Sequence, residues 1–373
     1  MLERNRGRHG GRNGFIDILR LIFAVLILMY HFYSDGAKHF YSGYLGVEFF
    51  AILSGALLFA GWFRKQFAEN DIGCRLDYFK NYMKRRYASF FMYTAGPFVA
   101  TFVVTRVWFG GVNSLATFCD TMSRDIWDLL LVTMTGINQG NSFLTTVAWT
   151  MMSMLIAEFC VLGCMALFER QYLNFFMHLS IIAGFGFWAN ADMSAIGVHT
   201  FFTSGTLRIY ILTCVGYYVY WLSQKIRRIS FTTVGECLLT VFEMTGYCGG
   251  LLIACLRRTL YYNFCFILLI AVSLAISLSE RSYSVKVIPE GRITRFCAEF
   301  SLYLYVTQLT VLRFFRALYP DVNDLYRQKF VFIPVAVVVA LSFMYLTRGA
   351  IKLFNVAKRR LKPVLICEKN LDD

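Results

Sequence analysis

Arg20 and His31 stand eleven positions apart within one apolar stretch of the chain. In an α-helix that interval is three turns, about 16 Å along the axis, and eleven steps of roughly 100° return to nearly the same azimuth. One helix face would therefore carry a guanidinium at one end and a titratable imidazole at the other. Ionisable groups in apolar chain are costly, which makes each a candidate for function. Arg20 also has a plainer reading, as a residue snorkelling to inner headgroups. His31 has one too, as an interfacial histidine beside Tyr30 and Tyr33. The next apolar stretch opens Gly43-Tyr44-Leu45-Gly46-Val47-Glu48-Phe49-Phe50 and continues to Ser54-Gly55. In a hairpin Glu48 enters from the end where His31 lies. A carboxylate there can orient an imidazole and raise its basicity. It can equally be a helix-start carboxylate favoured by the macrodipole.

Weaker candidates are Glu158, Glu243, Glu299, Arg208, Arg313, Arg316 and Gln308, each in or at the edge of an apolar run. They read as structural pairs or snorkellers ahead of catalysts. His39, His178 and His199 have no metal-ligand spacing, and no metal is expected. The eleven cysteines include no Cys-x-x-Cys pair, so neither a disulfide framework nor a zinc site is supported. Cysteine as small core filler is the expectation.

The elements that carry these residues follow from composition. The 373 residues are 57% apolar and only 16% charged, against roughly 45–50% and about 25% in an average soluble domain. Too few polar residues remain to cover a water-facing surface. A bilayer span needs about 20 mostly apolar residues, and ten segments qualify: Phe15–Tyr33, Tyr44–Phe63, Ala88–Phe109, Thr145–Phe168, Asn174–Ala189, Leu207–Leu222, Leu238–Leu256, Leu260–Leu278, Ala298–Leu318 and Phe330–Phe354. They are continuously apolar, unlike the alternating strands of a barrel, so the expected fold is all-α and polytopic. Ile126–Met134 is too short to span and reads as interfacial or re-entrant.

The net charge of +14 raises nucleic acid as a partner, and the placement of the charge removes the need for one. Arg4, Arg6, Arg8 and Arg12 precede the first segment, and Arg64, Lys65, Arg75, Lys80, Lys84, Arg85 and Arg86 follow the second. Lys225, Arg227 and Arg228, then Arg281, Lys286, Arg292 and Arg295, then Lys358, Arg359, Arg360 and Lys362 fall on the same side of a ten-span chain. The positive-inside rule puts that side, and both termini, in the cytoplasm. Arg257 and Arg258, in a short outward turn, are the exception. The basic start leads into a run of spanning length without a small-residue cleavage site, unlike a signal peptide. The expected organisation is a basic cytoplasmic segment over 1–14, a ten-helix membrane domain over 15–354 and a cytoplasmic tail over 355–373.

Arg20-x10-His31, then Gly46-Val47-Glu48-Phe49-Phe50, then Leu53-Ser54-Gly55, resembles the opening of the membrane acyltransferase-3 family. Trp149 followed by Met154-Leu155-Ile156-Ala157 looks like a run of the branch that acetylates polysaccharides. Ser301 to Gln308 resembles a ninth-helix element in which histidine often stands where this chain has Gln308. The chain departs from the family in a second place. Lys84-Arg85-Arg86 replaces an Arg-x-x-Arg pair that precedes a proline.

The resemblance implies transfer of an acyl group, usually acetyl, from cytoplasmic acetyl-CoA to a sugar hydroxyl of an exported or lipid-linked glycan. It places the chain in a bacterial inner membrane. A hydroxyl is a poor nucleophile at neutral pH, so His31 is the expected general base, oriented by Glu48. Arg20, Lys84, Arg85 and Arg86 are the expected phosphate ligands of CoA, because guanidinium grips phosphate in a bidentate way. Trp149 and Gln308 are the expected acceptor contacts, with Trp108, Trp127 and Gly136–Asn141 as weaker ones. The alternative is a proton-coupled transporter or flippase with Arg20, His31 and Glu48 along its path.

Overall fold

A computed structural model describes residues 12–33, 40, 42–67, 71–104, 114–135, 145–190, 198–199, 202–256 and 259–369. The first helices are α1 (Gly14–Tyr33), α2 (Leu45–Phe63), α3 (Ile72–Phe102), α4 (Leu115–Thr135), α5 (Thr145–Leu167) and α6 (Arg170–Asn190). A two-residue antiparallel pair, β1 (Val198–His199) and β2 (Phe202–Thr203), leads into α7 (Ser204–Arg228). Then come α8 (Thr233–Cys255), α9 (Leu260–Ser279), α10 (Tyr283–Val287), α11 (Arg292–Leu318), α12 (Val322–Arg327) and α13 (Lys329–Lys369).

Each of the ten apolar segments falls on a long helix over its described residues; the end of the third, 105–109, lies outside them. Seven helices are long and apolar enough to cross a membrane: α1, α2, α5, α6, α8, α9 and α13. The other three, α3, α7 and α11, are more polar. The chain is thus a helical membrane protein with at least these seven candidate spans among the described residues.

One local expectation is revised and two are given a secondary structure. The basic stretch after α2 is helix: α3 begins at Ile72, sixteen residues before the expected Ala88, where the Asp71 side chain accepts from the Cys74 amide at 2.9 Å. Lys and Arg are good helix formers, so charge alone did not mark a loop. Ile126–Met134 is the second half of the 21-residue α4. The tail is helical as far as Lys369.

Core packing is closest where α2 crosses α7. A Cβ on Gly55 would strike the backbone of Thr213, and one on Gly216 would strike the backbone of Gly55 and Ala56. Small residues let membrane helices approach to this degree. On its other side α1 packs along α11, with Ala24, Leu28 and Phe32 against Tyr303, Leu304 and Leu312. The α1–α2 hairpin has a fixed register: Gly43 lies on Tyr30, Gly46 on Ile27, and the Phe23 and Phe49 rings stack at 4.1 Å. These helices enclose the cavities described next.

Candidate functional site

Helices α1, α2, α3, α5 and α11 surround a cavity of about 540 Å³, mostly apolar and lined by Leu53, Phe90, Met154 and Tyr305 among others. From α3, Tyr82, Arg86, Ser89 and Tyr93 face it, at the i, i+4, i+7, i+11 spacing of one helix face. Lys84 and Arg85 fall off that face and are exposed, and Arg85 bonds the Asn81 carbonyl of its own helix at 3.2 Å. Of the three expected phosphate ligands on α3, only Arg86 turns inward.

Arg86 is held by Glu158 of α5, whose carboxylate is fully buried. Its Nε donates to Glu158 Oε2 at 2.8 Å and its Nη2 donates to Oε1. Ser54 of α2 donates to Oε1 at 2.5 Å, and Tyr82 donates to Oε2 at 3.3 Å. A buried carboxylate is tolerable only when paired and hydrogen-bonded in this way. The sequence had set Glu158 aside as a structural pair. Its partners lie 72, 76 and 104 residues away in the chain, distances no spacing rule reaches.

A second cavity of about 400 Å³ opens beside the first, lined by Arg12, Asp17, Arg20, Arg64, Arg227 and Glu280 among others. Arg20 and Leu57 line both cavities. Arg20 therefore stands at the partition between a charged compartment and an apolar one, with Asp17 at 3.5 Å. Its side chain is 29% exposed and lines the space on both sides of that partition. Asp17, buried, also pairs with Arg12 at 2.5 Å.

The expected acid–base pair is arranged differently. Glu48 is fully buried, and Arg208 of α7 approaches its Oε1 to 3.8 Å. The Arg208 guanidinium lies 5.6 Å from the centre of the Tyr44 ring, and the Tyr44 hydroxyl donates to Asn263 at 2.7 Å. The hairpin register, with Gly46 on Ile27 and Phe49 on Phe23, sets Glu48 between the levels of Ile27 and Phe23, more than one turn along α1 from His31. The structure thus brings Glu48 to Arg208 and does not bring it level with His31. His31 is partly exposed in the last turn of α1, against the Tyr30 ring at 5.2 Å. Arg316 of α11 donates to its backbone carbonyl at 3.5 Å. His31 does not line either cavity.

Gln308 is 1% exposed, and neither atom of its amide has a hydrogen-bond partner among the described residues. It shares a face of α11 with Ser301 and Tyr305, which line the apolar cavity, and stands one turn beyond Tyr305. It lies on the segment between that cavity and Arg316, the residue at the level of His31. Native structures leave few buried polar groups unsatisfied. Trp149 lies in α5, its side chain outside what the structure describes, as are Trp108, residues 136–141 and the Arg257–Arg258 turn. No model of a protein family, no curated protein and no solved structure matches this chain.

Proposed function

We propose that the chain is an integral-membrane O-acyltransferase, moving an acyl group from acyl-CoA to a sugar hydroxyl of a cell-surface or lipid-linked glycan. The observation that carries this reading is Arg20, shared by a charged cavity and an apolar one. Acyl-CoA has the matching character: a polyanionic end joined by a long arm to an uncharged thioester. Arg12, Arg20 and Arg64 offer guanidiniums to its phosphates, and the apolar walls beyond suit the acyl end. Lys84 and Arg85, exposed on α3, contribute attraction at longer range, while Arg86 is committed to Glu158.

From the apolar cavity the acyl arm reaches past Gln308 toward His31, which takes the proton of the acceptor hydroxyl as the oxygen bonds to the acyl carbon. The carbon–sulfur bond breaks, and CoA leaves as the thiol once protonated. The Gln308 amide cannot accept that proton and serves as a hydrogen-bonding contact to substrate. Trp149 remains an acceptor contact in this reading. Glu48, through its pair with Arg208, sets the charge of the outer half of the path.

Purified protein given radiolabelled acetyl-CoA and a bacterial surface glycan should transfer label. His31→Ala should reduce transfer to background while the protein still elutes as a folded species. Undiminished transfer by that variant would remove His31 from the reaction. The buried Glu48–Arg208 pair favours a second reading, a proton-coupled transporter. Absence of transfer to any glycan, together with proton-driven uptake into vesicles, would establish that one.

A further inference from the structure

Away from these cavities, α6, α7 and α9 border an open groove of about 650 Å³. Phe185, Val219, Leu222, Phe264, Ala271 and the 65%-exposed Leu268 line it, with almost no polar surface. The α7 wall runs from Val215 to Leu222, about 10 Å along the axis. That is two-thirds of the ~15 Å hydrocarbon depth of one leaflet. An apolar groove on a membrane helix bundle does not stay empty, because a void forfeits dispersion contacts along its whole wall.

What lies at one mouth of the groove selects the occupant. Trp221, Lys225 and Arg228 follow one another on α7 at i, i+4, i+7, and all three are exposed. The Lys225 ammonium lies 5.0 Å from the Trp221 ring centre. Tryptophan marks the headgroup level. The neighbouring Arg227 is turned away, bonded to the Leu278 carbonyl at 2.9 Å and to Glu280 at 2.8 Å. The groove is therefore an apolar shaft whose mouth carries cations at headgroup depth.

We propose that this groove is a binding site for one anionic glycerophospholipid, an acyl chain lying between α7 and α9 and its phosphate on Lys225 and Arg228. The site is independent of the acyl-transfer reading and requires only that these helices sit in a bilayer. Basic residues near a membrane surface attract anionic lipid strongly enough to be read one at a time.

The test is native mass spectrometry of the full chain released from nanodiscs of phosphatidylcholine containing phosphatidylglycerol. Wild type should retain phosphatidylglycerol in preference to phosphatidylcholine. Lys225→Glu with Arg228→Glu should weaken that preference about fivefold for each basic group lost. Phosphatidylglycerol brominated on its acyl chain should quench a tryptophan component absent from Trp221→Phe. Ala271→Phe, which fills the groove and leaves the charges, should lower retention of the lipid. Equal retention of both lipids, or a charge-reversed variant indistinguishable from wild type, would overturn the proposal. So would quenching that survives Trp221→Phe unchanged.

Discussion

The Glu158 carboxylate has no exposed surface and depends on Arg86 for its charge balance. Removing one partner of such a pair strands the other. Arg86 is 41% exposed at its side chain, so water relieves part of the penalty and the expected loss is about 2 kcal/mol rather than the 3–5 of a fully buried pair. Arg86→Ala should therefore lower unfolding stability by that amount. Lys84→Ala and Arg85→Ala, one or two residues away and exposed, should each change it by less than ~0.5 kcal/mol. A double-mutant cycle of Arg86→Ala and Glu158→Ala, followed by chemical denaturation in detergent, measures the coupling; additivity would show that the pair is not a unit. This contrast was only half legible in the sequence. A run of three basic residues showed that something cationic stood there, but which of the three turned inward depended on the phase of α3. Glu48 shows the same limit. Its helix could be read from hydropathy. Its partner Arg208 could not, because that pairing is set by how α2 lies on α7.

At the scale of elements, seven of the long helices were legible because hydropathy alone distinguishes them, whereas the start of α3 was not, being built from charged residues that suit a helix and a loop alike. That start depends on Asp71. Hydrogen bonds from Cys74 hold its carboxyl below the ordinary carboxylate range. A carboxyl with a depressed folded-state pKa contributes above its unfolded value and loses that contribution as pH falls through the folded one. Asp71→Ala should speed amide exchange at Cys74 at neutral pH, and the difference from wild type should vanish in strong acid. The α2–α7 crossing gives a second expectation. Gly55→Ala and Gly216→Ala each push a Cβ into backbone that has no rotamer to escape through. Each should cost at least the ~1–3 kcal/mol of ordinary overpacking. Gly186 in α6 and Gly349 in α13 have nothing within 4 Å of the added atom, so alanine there should stabilise by about 0.5–1 kcal/mol. Thermal unfolding of the four variants should separate them into these two pairs.

For the whole molecule, α3, α7 and α11 stand apart from the seven apolar candidate spans by their polarity. Their polarity has a physical reason: they turn Arg86, Arg208 and Gln308 inward instead of toward lipid. Spanning helices that line internal space need not be apolar all round. Charge supplies an independent argument. Seven crossings alone would put the two ends of the chain on opposite sides, and Arg4, Arg6, Arg8 and Arg12 would face Lys358, Arg359, Arg360 and Lys362 across the bilayer. Ten crossings put both groups on one side, as the positive-inside rule prefers. Two cysteines read the difference directly. Cys74, at the start of α3, and Cys119, in α4, are both exposed and carry no disulfide. If α3 crosses, they lie on opposite faces; if it does not, they share one. In right-side-out vesicles carrying single-cysteine variants, a membrane-impermeant maleimide should label Cys119 and leave Cys74 unmodified until detergent is added. Labelling of neither before detergent would mean that α3 stays on the inner side, and would remove the ten-span arrangement along with the outward path on which acyl transfer depends.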